Sequence, residues 1–250
     1  QADATGLSTG RYAYSVTLTA RFSSSNYTRT YTGYSNVVNR SSGSYPFGRG
    51  WQLAGLDSLV SGSGGMMLVR STGDALWFPD DGAGGYLFAE GDDSFSTLVE
   101  NLDNSFTLTD KHGIEANFSS AGLLTSRVDR NGNTTSYSYS TGLLSSIVDP
   151  FSRETEFTYT SSRLTSVVDF AGRSASLSYS SGDLASVTQV DPDGGGELVA
   201  PVWEFTYDGT SHLLTEIEDP LDQVTVLAYG SHKRIRSITH PDGPVWGLTA

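Results

Sequence analysis

The chain has no cysteine. Disulfides, thiol nucleophiles and Cys-ligated metals are therefore excluded. Lysine is almost absent, with Lys111 and Lys233 alone among 15 basic residues. No stretch approaches the roughly 18 uninterrupted apolar residues of a membrane-crossing helix, so no membrane span is expected. Positive charge is in deficit: 15 basic against 28 acidic residues leave a net charge of −13, which speaks against nucleic acid as a partner. Hydrophobic residues make up 37% of the chain, with 28 glycines and abundant serine, a balance suited to a thin, turn-rich ribbon rather than a thick core. The chain begins at Gln1 rather than Met, as a processed or excised piece would.

The motifs of common catalytic and metal sites are missing too. There is no G-x-S-x-G elbow, no G-x-G-x-x-G and no phosphate loop. His112, His212, His232 and His240 never fall at metal-like spacing, and each reads as an exposed turn histidine. Asp129-Arg130-Asn131-Gly132-Asn133 imitates the start of a calcium loop, but Thr134 stands where glycine is required and no bidentate Glu follows. Asp80-Asp81 and Asp92-Asp93 read as solvated turns. Glu154 and Glu156 share a strand face, whereas glycoside hydrolysis needs opposed carboxylates. The expectation is a chain with no catalytic residues, no metal and no cofactor.

What the chain does have is a period. From Gly122 onward it repeats every twenty residues: Asp129, Asp149 and Asp169; Tyr139, Tyr159 and Tyr179; Leu124, Leu144, Leu164 and Leu184. Fixed-period self-similarity marks stacked units that cannot bury their apolar faces alone. Each unit holds two short alternating runs divided by turn residues, which reads as one β-hairpin. In the first run Leu124, Ser126 and Val128 alternate with Thr125, Arg127 and Asp129. Strict alternation places the former three on one face. Later copies are altered: one returns to register at Tyr207 after an insertion at 191–196, and another runs from Leu214 through Asp219 to Tyr229. The last begins at Ile235 and stops where its tyrosine is due. Asp129, Asp149, Asp169 and Asp219, with Gly132 and Gly172, are the candidate turn residues. Leu124, Leu144, Leu164, Leu184 and Leu214, with Tyr139, Tyr159, Tyr179, Tyr207 and Tyr229, are the candidate repeat core. Trp203 and Trp246, in altered copies, are the candidate ligand or partner surface.

The pattern G-x-L-x-S-x-x-D-x-x-G-R/N followed by alternation to Tyr resembles the YD-repeat or RHS-repeat family. Gly122, Leu124, Asp129, Gly132, Asn133 and Tyr139 carry it, as do Leu164, Asp169, Gly172, Arg173 and Tyr179. Pro46-Phe47-Gly48-Arg49-Gly50-Trp51-Gln52-Leu53-Ala54-Gly55-Leu56 is similar to the segment that leads into such repeats in large bacterial surface proteins. The resemblance spans residues 46–250. It implies an all-β fold, in which an antiparallel ribbon of hairpins forms a curved or spiral open sheet after a small N-terminal β segment. It also implies an extracellular or cell-surface bacterial location, a scaffold or adhesive role, a link to carbohydrate in some members, and a toxin-enclosing shell in others.

Three stretches are expected: 1–45, an N-terminal hairpin; 46–121, irregular hairpins leading into the repeats; and 122–250, the repeats. Tyr12–Thr19 and Tyr27–Thr32 read as two strands around a Ser23–Asn26 turn, a hairpin too small to stand alone in water. Met66–Val69 with Ala75–Phe78, and Phe106–Thr109 with Ile114–Phe118, read as two more hairpins. Charge is unevenly spread: residues 1–50 hold five arginines against Asp3, a balance of +4, while 51–125 carry −9 and 126–250 carry −8. A basic head and an acidic body favour head-to-tail association of copies, or continuation of the ribbon in a longer parent chain. The alternatives are a carbohydrate-binding or adhesin module and part of a toxin-encapsulating shell.

Overall fold

Period-two alternation and turn chemistry become twenty antiparallel strands in the computed structural model, which describes residues 6–89, 95–231, 233–243 and 245–247. No helix occurs among them. The strands form an open all-β ladder of fifteen, whose order in space follows their order in the chain, and two smaller sheets. The chain divides into two units: residues 1–39 with 52–136, and residues 40–51 with 137–250.

The first unit opens with a long hairpin, β1 (Gly10–Arg21) and β2 (Asn26–Val37), longer at both ends than the alternation alone indicates. A three-stranded sheet follows: β3 (Ser58–Gly62), β4 (Gly65–Val69) and β5 (Ala75–Pro79). Its core is Met67, Val69 and Trp77, against which Val38 and Val60 pack. The ladder begins with β6 (Thr97–Glu100), β7 (Phe106–Thr109), β8 (Glu115–Phe118) and β9 (Leu124–Val128). Phe118 and Leu124 face each other across β8 and β9 and are wholly buried. The turn of the repeats already operates upstream of Gly122. Asp110 accepts from the backbone N–H of His112 and Ile114, and Gly113 closes that turn with its N–H on the Asp110 carbonyl.

Strand β10 (Thr134–Ser140) lies at the division between the units. The second unit continues with β11 (Leu143–Val148), β12 (Glu154–Thr160), β13 (Arg163–Val168), β14 (Ser174–Ser180) and β15 (Asp183–Thr188). It ends with β16 (Val202–Tyr207), β17 (Leu214–Glu218), β18 (Val224–Tyr229), β19 (Ile235–Thr239) and β20 (Val245–Gly247).

One expectation is corrected. Leu124, Ser126 and Val128 do not share a face, because a β-bulge interrupts the alternation directly after Leu124, and later copies repeat it. In β13 the register runs Tyr159 opposite Leu164, then Thr158 opposite Ser166 and Phe157 opposite Val167, leaving Thr165 as the extra residue. The same shift occurs at Asn117/Phe118, Ser178/Tyr179, Thr206/Tyr207 and Ala228/Tyr229. One extra residue flips every later side chain to the other face. Leu164 and Val167 therefore join Phe157 and Tyr159 on the apolar face, and in the first copy Leu124 is joined by Arg127 rather than Val128. The opposite face is lined by serine, threonine and glutamate together with Val128, Val168, Val224 and Val226.

Candidate functional site

Four of the repeat turns are each organised by one carboxylate. Asp129 Oδ1 accepts from the N–H groups of Asn131 (2.8 Å) and Asn133 (2.9 Å), and its Oδ2 accepts from the Asn133 side chain. Asp149 and Asp169 repeat this with Arg153 and Arg173 in the place of Asn133. Asp219 takes the N–H groups of Leu221 and Gln223. Donors aimed at a charged oxygen favour the ionised form. The Asn133 side chain holds Asp129 below its usual range, and the side chains of Arg153 and Arg173 do the same for Asp149 and Asp169. Gly132 and Gly172 close their turns with positive φ, a position that Ser152 and Asp222 also occupy. Both oxygens of Asp129, Asp149 and Asp169 are occupied by the turn itself, as is Oδ1 of Asp219.

Leucine and tyrosine form the rungs. Leu124, Leu144, Leu164 and Leu184 are buried, while Leu214 is half-buried. Across the strands Tyr159 lies opposite Leu164, Tyr179 opposite Leu184, Tyr207 opposite Leu214 and Tyr229 opposite Ile235. Burial pushes the hydroxyls of Tyr139, Tyr159, Tyr179 and Tyr207 up to about 12. Tyr229 is raised for the same reason.

In the second unit, segment 40–51 runs along this row. Phe47 is buried, the Leu164 N–H donates to the Pro46 carbonyl (2.9 Å), and the Arg49 N–H donates to the Gly182 carbonyl (3.2 Å). Arg163 donates to the Gly43 carbonyl and lies over the Tyr179 ring. Trp51 packs on Phe205 with centroids 4.8 Å apart, and its indole N–H donates to the Tyr207 hydroxyl at 2.7 Å.

The chemical centre of this contact is Asp183, whose side chain is only 7% exposed. Arg49 Nη1 donates to Asp183 Oδ1 at 3.0 Å and to the Ser181 carbonyl at 2.7 Å. His212 Nδ1 lies 2.7 Å from Asp183 Oδ2 and 2.9 Å from the same Arg49 nitrogen. A single ring nitrogen cannot donate to the carboxylate and accept from the guanidinium at once. With the carboxylate accepting, Nδ1 carries the proton. Two donors on a buried carboxylate meet the requirement that a buried charge be paired. Beside it lies a cavity of about 280 Å³ lined by Asp183, Phe205, Tyr207, Asp208 and His212 among others. Of its polar groups, Asp183 is engaged as described, Tyr207 with Trp51, and Asp208 Oδ1 with the Thr210 and Ser211 N–H groups and the Ser211 hydroxyl.

The reading of His212 as an exposed turn residue is thus corrected, since it sits in a turn but is tied to Asp183. His112 and His240 are exposed, and His232 lies outside the described residues. Arg49, Arg163 and Asp183 were not singled out from sequence. The signal was there: Arg163 and Asp183 occupy the unit position held by Leu123 and Leu143 in earlier copies, and these two departures meet segment 40–51. Trp203 is half-buried opposite Val187, on the same face as Phe205 and Tyr207. The Trp246 side chain lies outside what is described. Among the described residues no group of three or more His, Asp or Glu is placed to hold a metal ion.

Residues 118–150 match the RHS repeat family model. Two solved structures are similar to the chain at low identity. The crystal structure of TcdB2-TccC3-Cdc42 aligns at 14% identity and TM-score 0.37, over 66% of this chain and 12% of that one. The crystal structure of TcdB2-TccC3-TEV aligns at 12% identity and TM-score 0.33, over 74% of this chain and 12% of that one. The chain thus spans about an eighth of the length of those chains. Among curated proteins no match is found.

Proposed function

We propose that this chain is a non-catalytic scaffold segment of an RHS-type extracellular or cell-surface protein, whose ribbon associates head-to-tail with other copies or continues in a longer parent chain. The observation that carries this reading is the use to which the chain puts its chemistry. Turn carboxylates bind their own backbone, tyrosines and leucines face each other across strands, and the buried carboxylate of Asp183 fastens a neighbouring segment. An enzyme would hold such groups open to substrate. The RHS repeat match at 118–150 points the same way. An open ladder suits extension, because edge strands offer unpaired backbone groups to another chain.

Sedimentation velocity across a range of concentrations, with electron microscopy of the same samples, tests the self-association. Growing oligomers or filaments are expected, and a strict monomer at every concentration in low salt overturns that arm of the reading. The carbohydrate alternative rests on Trp203 and Trp246. A glycan array in which binding is lost on Trp203→Ala would favour it. A toxin-enclosing role predicts cargo sequence in the parent gene.

A further inference from the structure

The β1–β2 hairpin is the least covered part of the described chain, and its two faces differ sharply. The register places Tyr14 opposite Gly33, Val16 opposite Tyr31, Leu18 opposite Arg29 and Ala20 opposite Tyr27, all on one face. On the other face Thr17 bonds Thr30 (3.0 Å) and Thr19 bonds Thr28 (3.3 Å). The apolar face stands in solvent: Leu18 is 58% and Tyr27 64% exposed, and Tyr14, Val16 and Tyr31 are about half exposed. Only the base is anchored within the first unit, where Arg11 lies over Tyr34 and Trp77 and Asn36 donates to the Ala75 carbonyl. A lone two-stranded ribbon is marginal in water, and an exposed apolar face of this kind marks an interaction surface.

Charge selects the occupant. Between Asp3 and Asp57 the chain has five arginines and no acid, and Arg21 and Arg29 form no ion pair among the described residues. Stacking one arm on another would therefore set like charges together. The complement lies on the polar face of the second unit. Glu204 stands directly opposite Glu218, and Glu216 lies two residues further on the same face, opposite Thr206 and Val226. Like charges directly opposite on neighbouring strands are unfavourable, and no cation pairs with these three among the described residues. Val224 and Val226 share this face, so it carries both carboxylates and an apolar strip.

We propose that the Tyr14–Tyr31 face of the hairpin docks on strands β16–β18 of a second copy of this chain, with Arg29 set among the second copy's carboxylates. This rests on the self-associating reading above and names its surface. Twelve-residue strands give an arm about 40 Å long and about 10 Å wide. One such face is about half of a standard partner surface of about 800 Å². The contact is therefore weak, reversible and salt-sensitive.

Sedimentation velocity of the full chain and of Arg29→Glu, Glu218→Arg and the combined swap tests it, with circular dichroism melts to confirm that each variant folds. Each single variant should weaken association about tenfold, and the swap should recover it. Single variants that associate like the unaltered chain, or a swap that fails to recover, overturn the surface while leaving self-association standing. A chain that is monomeric throughout overturns self-association itself. Flotation of a monomeric chain with phosphatidylserine vesicles, lost in Leu18→Ser, would give this face to lipid and overturn the second-copy assignment.

Discussion

The molecule contains the same kind of surface twice, covered in one place and bare in another. In the second unit the leucine–tyrosine row lies beneath segment 40–51, and Leu144, Leu164 and Leu184 are almost completely buried. On the β1–β2 arm an equally regular row of Tyr, Val and Leu stands exposed, with no other strand over it among the described residues. Alternation makes a face; a second piece of chain has to shield it. Where shielding is present, it is enforced by a buried charge that is satisfied only when the segment is in place. Where it is missing, the arm's arginines point to an acidic surface as the cover.

This contrast ranks the expected effects of substitution. Removing Arg49 leaves Asp183 buried with less than its full set of donors. Arg49→Ala should therefore cost about 3 kcal/mol in a thermal or urea melt, below the full figure for a wholly buried pair because Arg49 is partly exposed. The Arg173–Asp169 pair in a surface turn is the control: Arg173→Ala should cost under about 0.5 kcal/mol. Equal losses at both sites would remove the distinction between a fastening and a turn.

Glycine at the start of three of the units sharpens the point. Gly122 and Gly182 both have positive φ and no room for a side chain, since an added Cβ would strike the Leu59 carbonyl in one case and the Gly43 backbone in the other. Gly142 has the same backbone sign and nothing within 4 Å. Gly142→Ala should cost about 1 kcal/mol from conformation alone. Gly182→Ala should cost about 1 kcal/mol or more beyond that, because the docked segment must move.

Smaller effects separate two tyrosines. The Tyr207 hydroxyl accepts from Trp51, whereas the Tyr159 hydroxyl is buried without a hydrogen-bond partner among the described residues. Tyr207→Phe should lose about 1 kcal/mol in a denaturant titration, and Tyr159→Phe should be neutral or slightly stabilising.

Titration gives the remaining prediction. The tyrosines are raised, so the folded state keeps its protons while the unfolded chain loses them. Their contribution to stability is full below the ordinary value of 10 and lost as pH rises through about 12. The turn aspartates are lowered. Their contribution is full above the ordinary value of 3.8 and is lost as pH falls through the lower folded value. Melting temperature against pH should drop at both ends, and Asp169→Asn should flatten the acid end.

The strands, turns and all-β class were legible because period two and period twenty are properties of local sequence. Asp129, Asp149 and Asp169 could be read as turn residues for the same reason. The bulge was not legible: an extra residue at Thr165 in one strand leaves the twenty-residue period intact while inverting the face of every later side chain in that strand. The upstream turn at Asp110 was harder to assign because the leucine and tyrosine landmarks thin out before Gly122. The fastening at Asp183 was the hardest, since Arg49 is 134 residues away in sequence and no period connects them. Its trace was a break in the pattern, an acid where sister copies have leucine or arginine.

Amide hydrogen exchange at low and high protein concentration tests most directly whether the bare face is the one used for assembly. The amides of Leu164 and Arg49 should be protected equally at both concentrations, whereas the β1–β2 amides should gain protection as concentration rises. Arm protection that does not change with concentration, or a 40–51 segment that exchanges as freely as an unfolded chain, would contradict that claim.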